Sequence, residues 1–538
     1  MSKKTTSLYL LLIILVAMGL RLVNLGTEPF WGDEALSFDI AKHYESDVPG
    51  LLVYLQTVEV HPPFYYLILN MWCRLFGWSE LASRSLSLLF GLGIILLGFW
   101  LSILLFRREK LALACAFVLA VLPFQVEFSQ EARPYIIFCF CAVLSAIIYW
   151  RYRDSNKVIL IPLYILVTLA GLFLHYSYIF FAVSLGLYWL IEIIARGQKS
   201  QPREFYLWLG SHLFIILAYF FQAVSLLYKM LLGDYLLFDT PRTLSANRPV
   251  AFFESVFNQL IWLSKNENLP LLEVLAILIF KVAFWAGLVW LIFRHREKFL
   301  SELISKRQPL IYLLTLTFLP VIFFALSPFS VAYAPIFERH VITGSVFLII
   351  IIIYLVSFLG YKKGLLLLVL FLLSVMNPLI SVIGDDALWD EYFRLKSIGE
   401  QININYRPGD LVLVSSSIGR SDVNHYLRSG IPSLSLYPLE ILDYHWDFLN
   451  SRETLGLNEN EAQLRCLPNN KGKNYESVRL KMDYIIKKYQ PRRIWFITGN
   501  DYNMTKWFEE NHWRRAMDSL GELHPLKLYD SYVPGRTN

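Results

Sequence analysis

Two neighbouring acids, Asp33 and Glu34, follow the first long apolar run of the chain. Behind them Leu36, Ile40 and Tyr44 recur at helical spacing, which predicts an amphipathic helix that begins near Asp33. A carboxylate at that position can cap the helix by accepting a backbone N–H. The same carboxylate, fixed beside a second acid, is a candidate general base. The two roles are compatible, and both stay open.

A histidine and two prolines, His61, Pro62 and Pro63, precede an apolar helix predicted over 64–76. Prolines are tolerated in the first helical turn, and the N-terminus of a helix favours anions. His61 and Tyr66 are therefore candidate ligands of a substrate that carries a phosphate. The alternative is a solvated histidine ahead of a helix that lies along a membrane interface, since the run is too short to cross.

Glu131 and Arg133 stand two residues apart between two apolar runs. Charges at the edge of a membrane are costly unless they are paired. The two residues could form a local ion pair, or they could supply a second catalytic acid and a phosphate-binding arginine. The sequence favours neither interpretation.

Three further cationic residues lie near the ends of apolar runs: Arg21, His175 and Arg339. Each could face a cavity shared with the residues above, or could serve only as a turn residue or an interfacial anchor. In a topology with eleven membrane helices, all of these groups lie on the outer side of the membrane. Their combination predicts a polar cavity that holds a phosphate and activates a hydroxyl.

The composition is that of a membrane protein. Hydrophobic residues make up 56% of the chain, charged residues 17% and aromatic residues 16%, and the mean hydropathy is +0.46. Soluble chains are about 25% charged. The basic residues behind the net charge of +6 fall in short runs between apolar spans, which argues against a nucleic-acid partner. The five cysteines show neither a disulfide framework nor the spacing of a zinc site.

Eleven apolar runs approach the roughly 20 residues that a helix needs to cross a bilayer. Their approximate ranges are 8–25, 83–106, 111–127, 135–150, 158–174, 177–195, 205–228, 270–293, 309–326, 341–359 and 364–381. The first run lacks a small-residue cleavage site, so it is predicted to remain as a helix. With eleven helices all basic clusters fall on one side. This predicts a multi-pass protein of the plasma (inner) membrane with a cytoplasmic N-terminus and long outer loops at 26–82 and 229–269.

The chain beyond the last apolar run has shorter apolar stretches and frequent charges. Helical spacing over 391–406 precedes two runs, 410–415 and 493–498, that are typical of buried strands. The predicted fold is therefore an all-α polytopic membrane domain over 1–384 and an extracytoplasmic α/β domain over 385–538.

The order of these motifs resembles the bacterial branch of the protein O-mannosyltransferase and aminoarabinose transferase superfamily, family 39-like glycosyltransferases with the GT-C fold. The segments that carry the resemblance are Arg21, Trp31-Gly-Asp33-Glu34-Ala, His61-Pro62-Pro63-Phe-Tyr-Tyr66, Arg84, Gln130-Glu131-Ala-Arg133-Pro134-Tyr135, His175-Tyr176 and Phe337-Glu338-Arg339-His340. They cover the membrane part, and Arg407-Pro408-Gly409-Asp410 is similar to the start of the extracytoplasmic domain of many members.

The resemblance implies an inverting transfer of a sugar from a dolichyl or undecaprenyl phosphate to an acceptor outside the cytoplasm. It implies that Asp33 is the catalytic acid, Glu34 its neighbour and Glu131 the acid of the second outer loop. His61 stands where aminoarabinose transferases have a lysine that binds the lipid phosphate. Displacement at an anomeric carbon needs a base for the hydroxyl and cations for the leaving phosphate. The cations assigned to the phosphate are Arg133, Arg339 and His61, with His175 and Tyr66 as further substrate contacts.

The predicted partners are a polyprenyl-phosphate-linked sugar, membrane lipids, and an acceptor that is a glycolipid, a polysaccharide or a protein. No cofactor is predicted, and the sequence contains no ligand set that decides whether a divalent metal takes part. A transporter or flippase of lipid-linked sugars is the alternative, although repeated halves are not visible and the polar groups concentrate in outer loops. An inactive relative that only binds lipid is a third interpretation.

Overall fold

The structure is a computed structural model of the chain. It describes residues 2–57, 59, 61–197, 202–232, 271–327, 337–358, 361–384, 386–414, 425–428, 430–435, 482–483, 485–497, 502–511, 513–518 and 526–531. Most of the predicted outer loop 229–269 and Cys466 lie outside these residues. The chain divides into two compact units. The first unit comprises Met1–Thr27 and Ala41–Asp385, and the second comprises Glu28–Ile40 and Asp386–Asn538.

The first unit is built of helices. They are α1 (Lys3–Leu22), the end of α2 (Gly32–His43), α3 (Val48–Thr57), α4 (Phe64–Phe76), α5 (Glu80–Phe106), α6 (Glu109–Val121), α7 (Pro123–Ser129), α8 (Tyr135–Ser155), α9 (Leu160–Leu174), α10 (Tyr178–Arg196), α11 (Pro202–Leu232), α12 (Leu271–Arg294), α13 (Arg296–Ser305), α14 (Arg307–Leu326), α15 (Phe337–Ser357) and α16 (Tyr361–Gly384).

The helices coincide with the predicted membrane spans. A helix occupies each of the eleven predicted ranges, the third of them as the pair α6 and α7. Within the described residues, six helices are long and apolar enough to cross a membrane, and a seventh span results if the bent pair counts as one. Exposed apolar side chains such as Leu15 and Phe221 cover their outer surfaces, as expected where lipid replaces water. The protein is a multi-pass membrane protein.

The bend between α6 and α7 measures 59° and has a local cause. Pro123 has no N–H, so the carbonyl of Leu119, four residues earlier, lacks its helical donor. Arg21 of α1 is fully buried and donates from Nη2 to this carbonyl (3.3 Å) and from Nη1 to the carbonyl of Ala120 (2.8 Å). Its Nε donates to Ser129 Oγ (3.1 Å). Arg21 therefore stabilises a broken helix whose free carbonyls would be costly in lipid.

Loops that carry basic clusters meet at one end of the first unit. Arg108, after α5, forms an ion pair with Glu302 of α13 (3.1 Å). Arg153, at the end of α8, binds Glu192 of α10 (2.5 Å) and also donates to Gln308 of α14. These contacts bring together the ends of α5, α8, α10, α13 and α14. The predicted alternation of basic and non-basic loops requires these ends to share a side.

The second unit contains a five-stranded sheet. Its further elements are α17 (Asp386–Asn405), β1 (Asp410–Val414), β2 (Ser433–Ser435), β3 (Arg493–Ile497), α18 (Tyr502–Glu510), β4 (Trp513–Asp518) and β5 (Leu526–Ser531). The strand order is β2-β1-β3-β5-β4, with β1 parallel to β2 and β3, and β5 antiparallel to β3 and β4. Alternate side chains of β1 and β3 pack against α17 on one face and α18 on the other. The second unit is therefore α/β, as predicted for the tail.

An ion pair joins the two central strands of this sheet. Arg493 donates to the buried carboxylate of Asp410 from Nε (2.8 Å) and Nη2 (2.5 Å). Trp495 Nε1 and the backbone N–H of Arg407 donate to the same group, each at 2.9 Å. Burial alone would raise the pKa of Asp410, but the hydrogen bonds from Arg493, Trp495 and Arg407 outweigh it and hold the pKa below its ordinary value.

The segment with the two predicted catalytic acids, Glu28–Ile40, also belongs to the second unit. Helix α2 begins at Gly32, close to the predicted start. Glu34 N–H donates to the carbonyl of Trp31 (2.8 Å), and Glu34 Oε2 accepts the N–H of Trp31 (3.4 Å). The second contact is the glutamate half of a capping box. Asp33 and Glu34 both lie in the first turn of α2. The side chain that accepts the N–H of Trp31 is that of Glu34, whereas the sequence suggested Asp33 as the cap.

Candidate functional site

The histidine ahead of α4 is held by an acid. Glu59 Oε1 lies 2.7 Å from His61 Nδ1 and accepts the backbone N–H of His61 at 3.1 Å. The Glu59 side chain is 3% exposed, whereas His61 keeps 22% exposure. Because Nδ1 faces the carboxylate, Nε2 is the ring nitrogen that can meet a ligand.

His175, between α9 and α10, is completely buried. Its ring stacks on Phe138 of α8 (5.2 Å) and on Tyr176 (4.4 Å). The rings of His61 and His340 each lie 5.5 Å from it. We call His61, His175 and His340 the imidazole cluster. Three separate parts of the chain thus bring their histidines together, and His175 is a packed member rather than a solvated turn residue.

One serine orients two members of this cluster. Ser177 Oγ lies 2.5 Å from His340 Nδ1, and its backbone N–H donates to His175 Nδ1 at 3.2 Å. The ring of His340, in the first turn of α15, also stacks on Phe324 at 4.9 Å. In both buried rings, therefore, Nδ1 is the nitrogen that is bonded to Ser177.

Two arginines from distant parts of the sequence contact one tyrosine. The guanidinium carbons of Arg133 and Arg339 each lie 5.6 Å from the centre of the Tyr135 ring. Arg133 Nη2 also donates to the Tyr135 hydroxyl at 3.4 Å. The Tyr135 ring lies 5.5 Å from that of His175, which connects the arginines to the imidazole cluster. We call Arg133 and Arg339 the arginine pair. Such a pair is suited to an anion with several oxygens.

The charge of the site comes from this pair. Burial lowers the pKa of His175 well below its ordinary value, and the neighbouring basic side chains, first His61 and His340 and then Arg133 and Arg339, act in the same direction. His175 is therefore neutral at physiological pH.

The structure unites four of the predicted site residues, His61, His175, Arg133 and Arg339, through the contacts above. Two further predicted residues lie in the same unit. Tyr66 is buried on α4 with its ring 5.8 Å from that of Tyr65. Glu131 precedes α8, and its carbonyl accepts the N–H of Arg133 at 2.8 Å. Asp33 and Glu34 belong to the second unit.

Sequence reasoning missed two residues of the site, Glu59 and Ser177. Glu59 could have been found, because an acid two residues before a histidine and a proline pair can reach the ring in a tight turn. Ser177 offered no signal, since a serine after a turn is common. Within the part of the chain that the structure describes, no group of three or more His, Cys, Asp or Glu residues is arranged to hold a metal ion.

Comparison with known proteins rests on structure. No known protein family and no curated protein matches the sequence. ArnT from Cupriavidus metallidurans in the apo state is similar over 98% of this chain and 98% of its own, with a TM-score of 0.58 and 12% identity. The same protein bound to undecaprenyl phosphate is similar over 99% of both chains, again with a TM-score of 0.58 and 12% identity. The chain has the GT-C fold.

Another GT-C structure, the archaeal oligosaccharyltransferase AglB from Archaeoglobus fulgidus, covers 92% of this chain and 69% of its own with a TM-score of 0.49 and 10% identity. The similarity to ArnT confirms the predicted fold class, a polytopic membrane protein with the GT-C fold. At this level of identity the likeness concerns the fold, and the roles of individual side chains depend on the contacts described above.

Proposed function

We propose that this GT-C protein is a glycosyltransferase that moves a sugar from a polyprenyl-phosphate carrier to an acceptor hydroxyl. The observation that carries the proposal is the convergence of Arg133 and Arg339 on Tyr135, beside the imidazole cluster. Two guanidinium groups around one ring can supply the donors that the oxygens of a phosphate require. The similarity in fold to ArnT, whose structure was solved with undecaprenyl phosphate bound, supports a lipid carrier.

Arg133 and Arg339 can stabilise the negative charge that grows on the phosphate during the reaction. A sugar linked through one phosphate to a polyprenol carries one negative charge on that phosphate. When the bond between the anomeric carbon and the phosphate oxygen breaks, the oxygen keeps the electron pair and the polyprenyl phosphate carries two negative charges. Fixed cations favour the state with more negative charge, so Arg133 and Arg339 stabilise the transition state more than the bound donor.

His61 supplies a third donor. Nδ1 is held by Glu59, so Nε2 is the ring nitrogen that meets a phosphate oxygen. It donates to that oxygen when the bound phosphate and the Glu59 carboxylate together stabilise the imidazolium, which then replaces the ammonium group of a lysine. The pairing of His61 with Glu59 thus offers a way for this chain to bind the phosphate although His61 stands where the resemblance implies a lysine.

Asp33 acts as the base. It takes the proton of the acceptor hydroxyl while the hydroxyl oxygen forms its bond to the anomeric carbon from the side opposite the phosphate, so the configuration inverts. Glu34 orders the first turn of α2 through Trp31, and Glu131 is the supporting acid. Tyr66 and His175 complete the substrate contacts of the proposal.

The reaction takes place on the extracytoplasmic face of the plasma (inner) membrane, with the N-terminus in the cytoplasm. The basic loops that meet at one end of the first unit support this orientation. The acceptor belongs to the envelope, as a glycolipid, a polysaccharide or a protein, and the donated sugar is a hexose or a pentose.

Radiolabelled transfer from polyprenyl-phosphate sugars to membrane acceptors, by the purified protein in nanodiscs, tests the proposal. Asp33→Asn should abolish transfer and leave donor binding intact. Asp47→Asn is the matched control, because Asp47 precedes α3 and asparagine is an equally good cap. Transfer that survives in Asp33→Asn removes Asp33 from this role. Movement of labelled lipid across the membrane without turnover would identify a transporter instead.

A further inference from the structure

The acid segment, Glu28–Ile40, packs on a loop of the tail. The ring of His425 lies 5.0 Å from the rings of both Phe30 and Phe38, and these two rings are 5.1 Å apart. Phe30 is fully buried and Phe38 is 2% exposed. One of these phenylalanines precedes Asp33 by three residues and the other follows it by five, so the packing holds the chain on both sides of the acids.

Two polar contacts fix the register of this packing. The backbone N–H of Phe30 donates to the hydroxyl of Tyr426 at 3.0 Å. His425 Nδ1 donates to Asp39 Oδ1 at 3.0 Å, and both side chains are largely buried, at 10% and 12% exposure. A hydrogen bond to a buried carboxylate is among the stronger ones in proteins. The first contact fixes the backbone just before α2. The second fixes the rotation of α2 about its axis at Asp39, two turns after the helix begins.

The loop that makes these contacts is itself held by α17. Asn403 Nδ2 donates to the carbonyl of Tyr426 (2.7 Å), and Asn403 Oδ1 accepts the N–H of Arg428 (2.8 Å). Gly399, one turn earlier, leaves no space for a side chain, because a Cβ there would lie 2.6 Å from Tyr426 Cβ and 3.3 Å from the Tyr426 carbonyl atoms. Leu427 packs on the hydrophobic core between α17 and the sheet. Tyr426 is therefore held in place by α17, and α17 in turn packs on the sheet.

We propose that His425 and Tyr426, the anchor pair, are positioning residues for Asp33 and Glu34, and that the α/β domain thereby takes part in catalysis. This inference rests on the proposed role of Asp33. The anchor pair contacts the acid segment, so it acts on the placement of the base. Misplacement of a catalytic group by about 1 Å can cost about a hundredfold in rate.

The kinetic test uses purified full-length variants. His425→Ala should lower kcat for sugar transfer by about ten- to a hundredfold, with KM for the lipid donor within about twofold of wild type. His425→Asn should recover part of the loss, since an amide can still donate to Asp39. Gly399→Ala, which changes neither member of the anchor pair, should also lower kcat. Tyr489→Phe is the matched control for Tyr426→Phe, because Tyr489 packs against the opposite core of the same domain.

Hydrogen exchange of the peptide covering 28–40 gives a second readout that does not depend on activity. Exchange should be about fivefold faster in Tyr426→Phe, which loses one hydrogen bond to the backbone of Phe30, and unchanged in Tyr489→Phe. Unchanged exchange in both His425→Ala and Tyr426→Phe overturns the anchoring. In a protein that transfers sugar, an unchanged kcat despite faster exchange overturns the positioning role of the anchor pair. Faster exchange in the variants of a protein whose wild type transfers no sugar would leave the anchoring standing and reject the proposed function.

Discussion

Glu59 Oε1 accepts two hydrogen bonds from a single residue, His61, one from ring Nδ1 and one from the backbone N–H. The carboxylate thus fixes both the rotation of the His61 ring and the position of the His61 backbone N–H. An acid that holds a histidine in this way determines how the ring meets a ligand.

Glu59→Gln should reduce sugar transfer by about tenfold, because a neutral amide replaces the carboxylate that holds the ring, and the loss of a charged hydrogen bond is worth about 1.5–3 kcal/mol. His61→Lys should make the enzyme insensitive to Glu59→Gln, since a lysine carries its charge without a partner. Glu45→Gln, at an exposed acid between α2 and α3, serves as the control. Equal losses from Glu59→Gln in the wild-type protein and in the His61→Lys variant would contradict the pairing.

Arg133→Gln and Arg339→Gln should each lower kcat by about ten- to a hundredfold, since each removes one cation from the phosphate as its charge doubles. Steady-state kinetics with a fixed acceptor measures the effect. Arg151→Gln, an exposed arginine at the far end of α8, should leave kcat unchanged. Wild-type rates in both site variants would refute the phosphate role of the pair.

Arg21→Met should lower the thermal stability of the protein, because three polar groups around the bend, two carbonyls and Ser129 Oγ, lose their donor. A second substitution, Pro123→Ala, returns an N–H to which the Leu119 carbonyl can bond. The double variant should therefore recover part of the lost stability, as measured by thermal unfolding in detergent. A double variant that is no more stable than Arg21→Met would show that the missing donor is not the cause.

Acid should weaken the second unit through Asp410. A carboxyl whose pKa is lower in the folded than in the unfolded chain contributes stability above its unfolded pKa of about 3.9, and this contribution is lost as the pH falls through the lower folded value. Asp410→Asn should be less stable than wild type at neutral pH, and its stability should change less than that of wild type between about pH 5 and about pH 2. Tryptophan fluorescence on heating measures this, with the exposed Glu510→Gln as control.

The membrane part of the fold could be predicted from the sequence because the cause of each span is local. A run of apolar residues specifies a crossing helix wherever it occurs, and the strands β1 and β3 are recognisable by an equally local pattern. The contacts of Arg21 with the bend could not be predicted, because the need for them arises at Pro123, far along the chain.

For the candidate site, the types of residue could be predicted from the sequence, but their arrangement in space could not. Histidines and arginines beside apolar runs indicate a polar site, since such groups are costly near lipid. The convergence of Arg133 and Arg339 on Tyr135 depends on how α8 and α15 pack, which no local pattern contains. The contact between Phe30 and Tyr426 spans 396 positions of sequence. For that reason the sequence predicts the acid segment as part of the membrane domain, whereas in the structure it groups with the tail.

The division of the chain into these units has a consequence for biosynthesis. Residues 28–40 are made before almost all of the membrane part, yet the remainder of their unit, from Asp386 onward, is made only after it. At about 5–20 residues per second, the gap lasts on the order of tens of seconds. A nascent protein halted before its tail would insert all its helices and still lack the partner of the acid segment. Under the proposed role of the anchor pair, full activity therefore waits until the tail has been made and has folded.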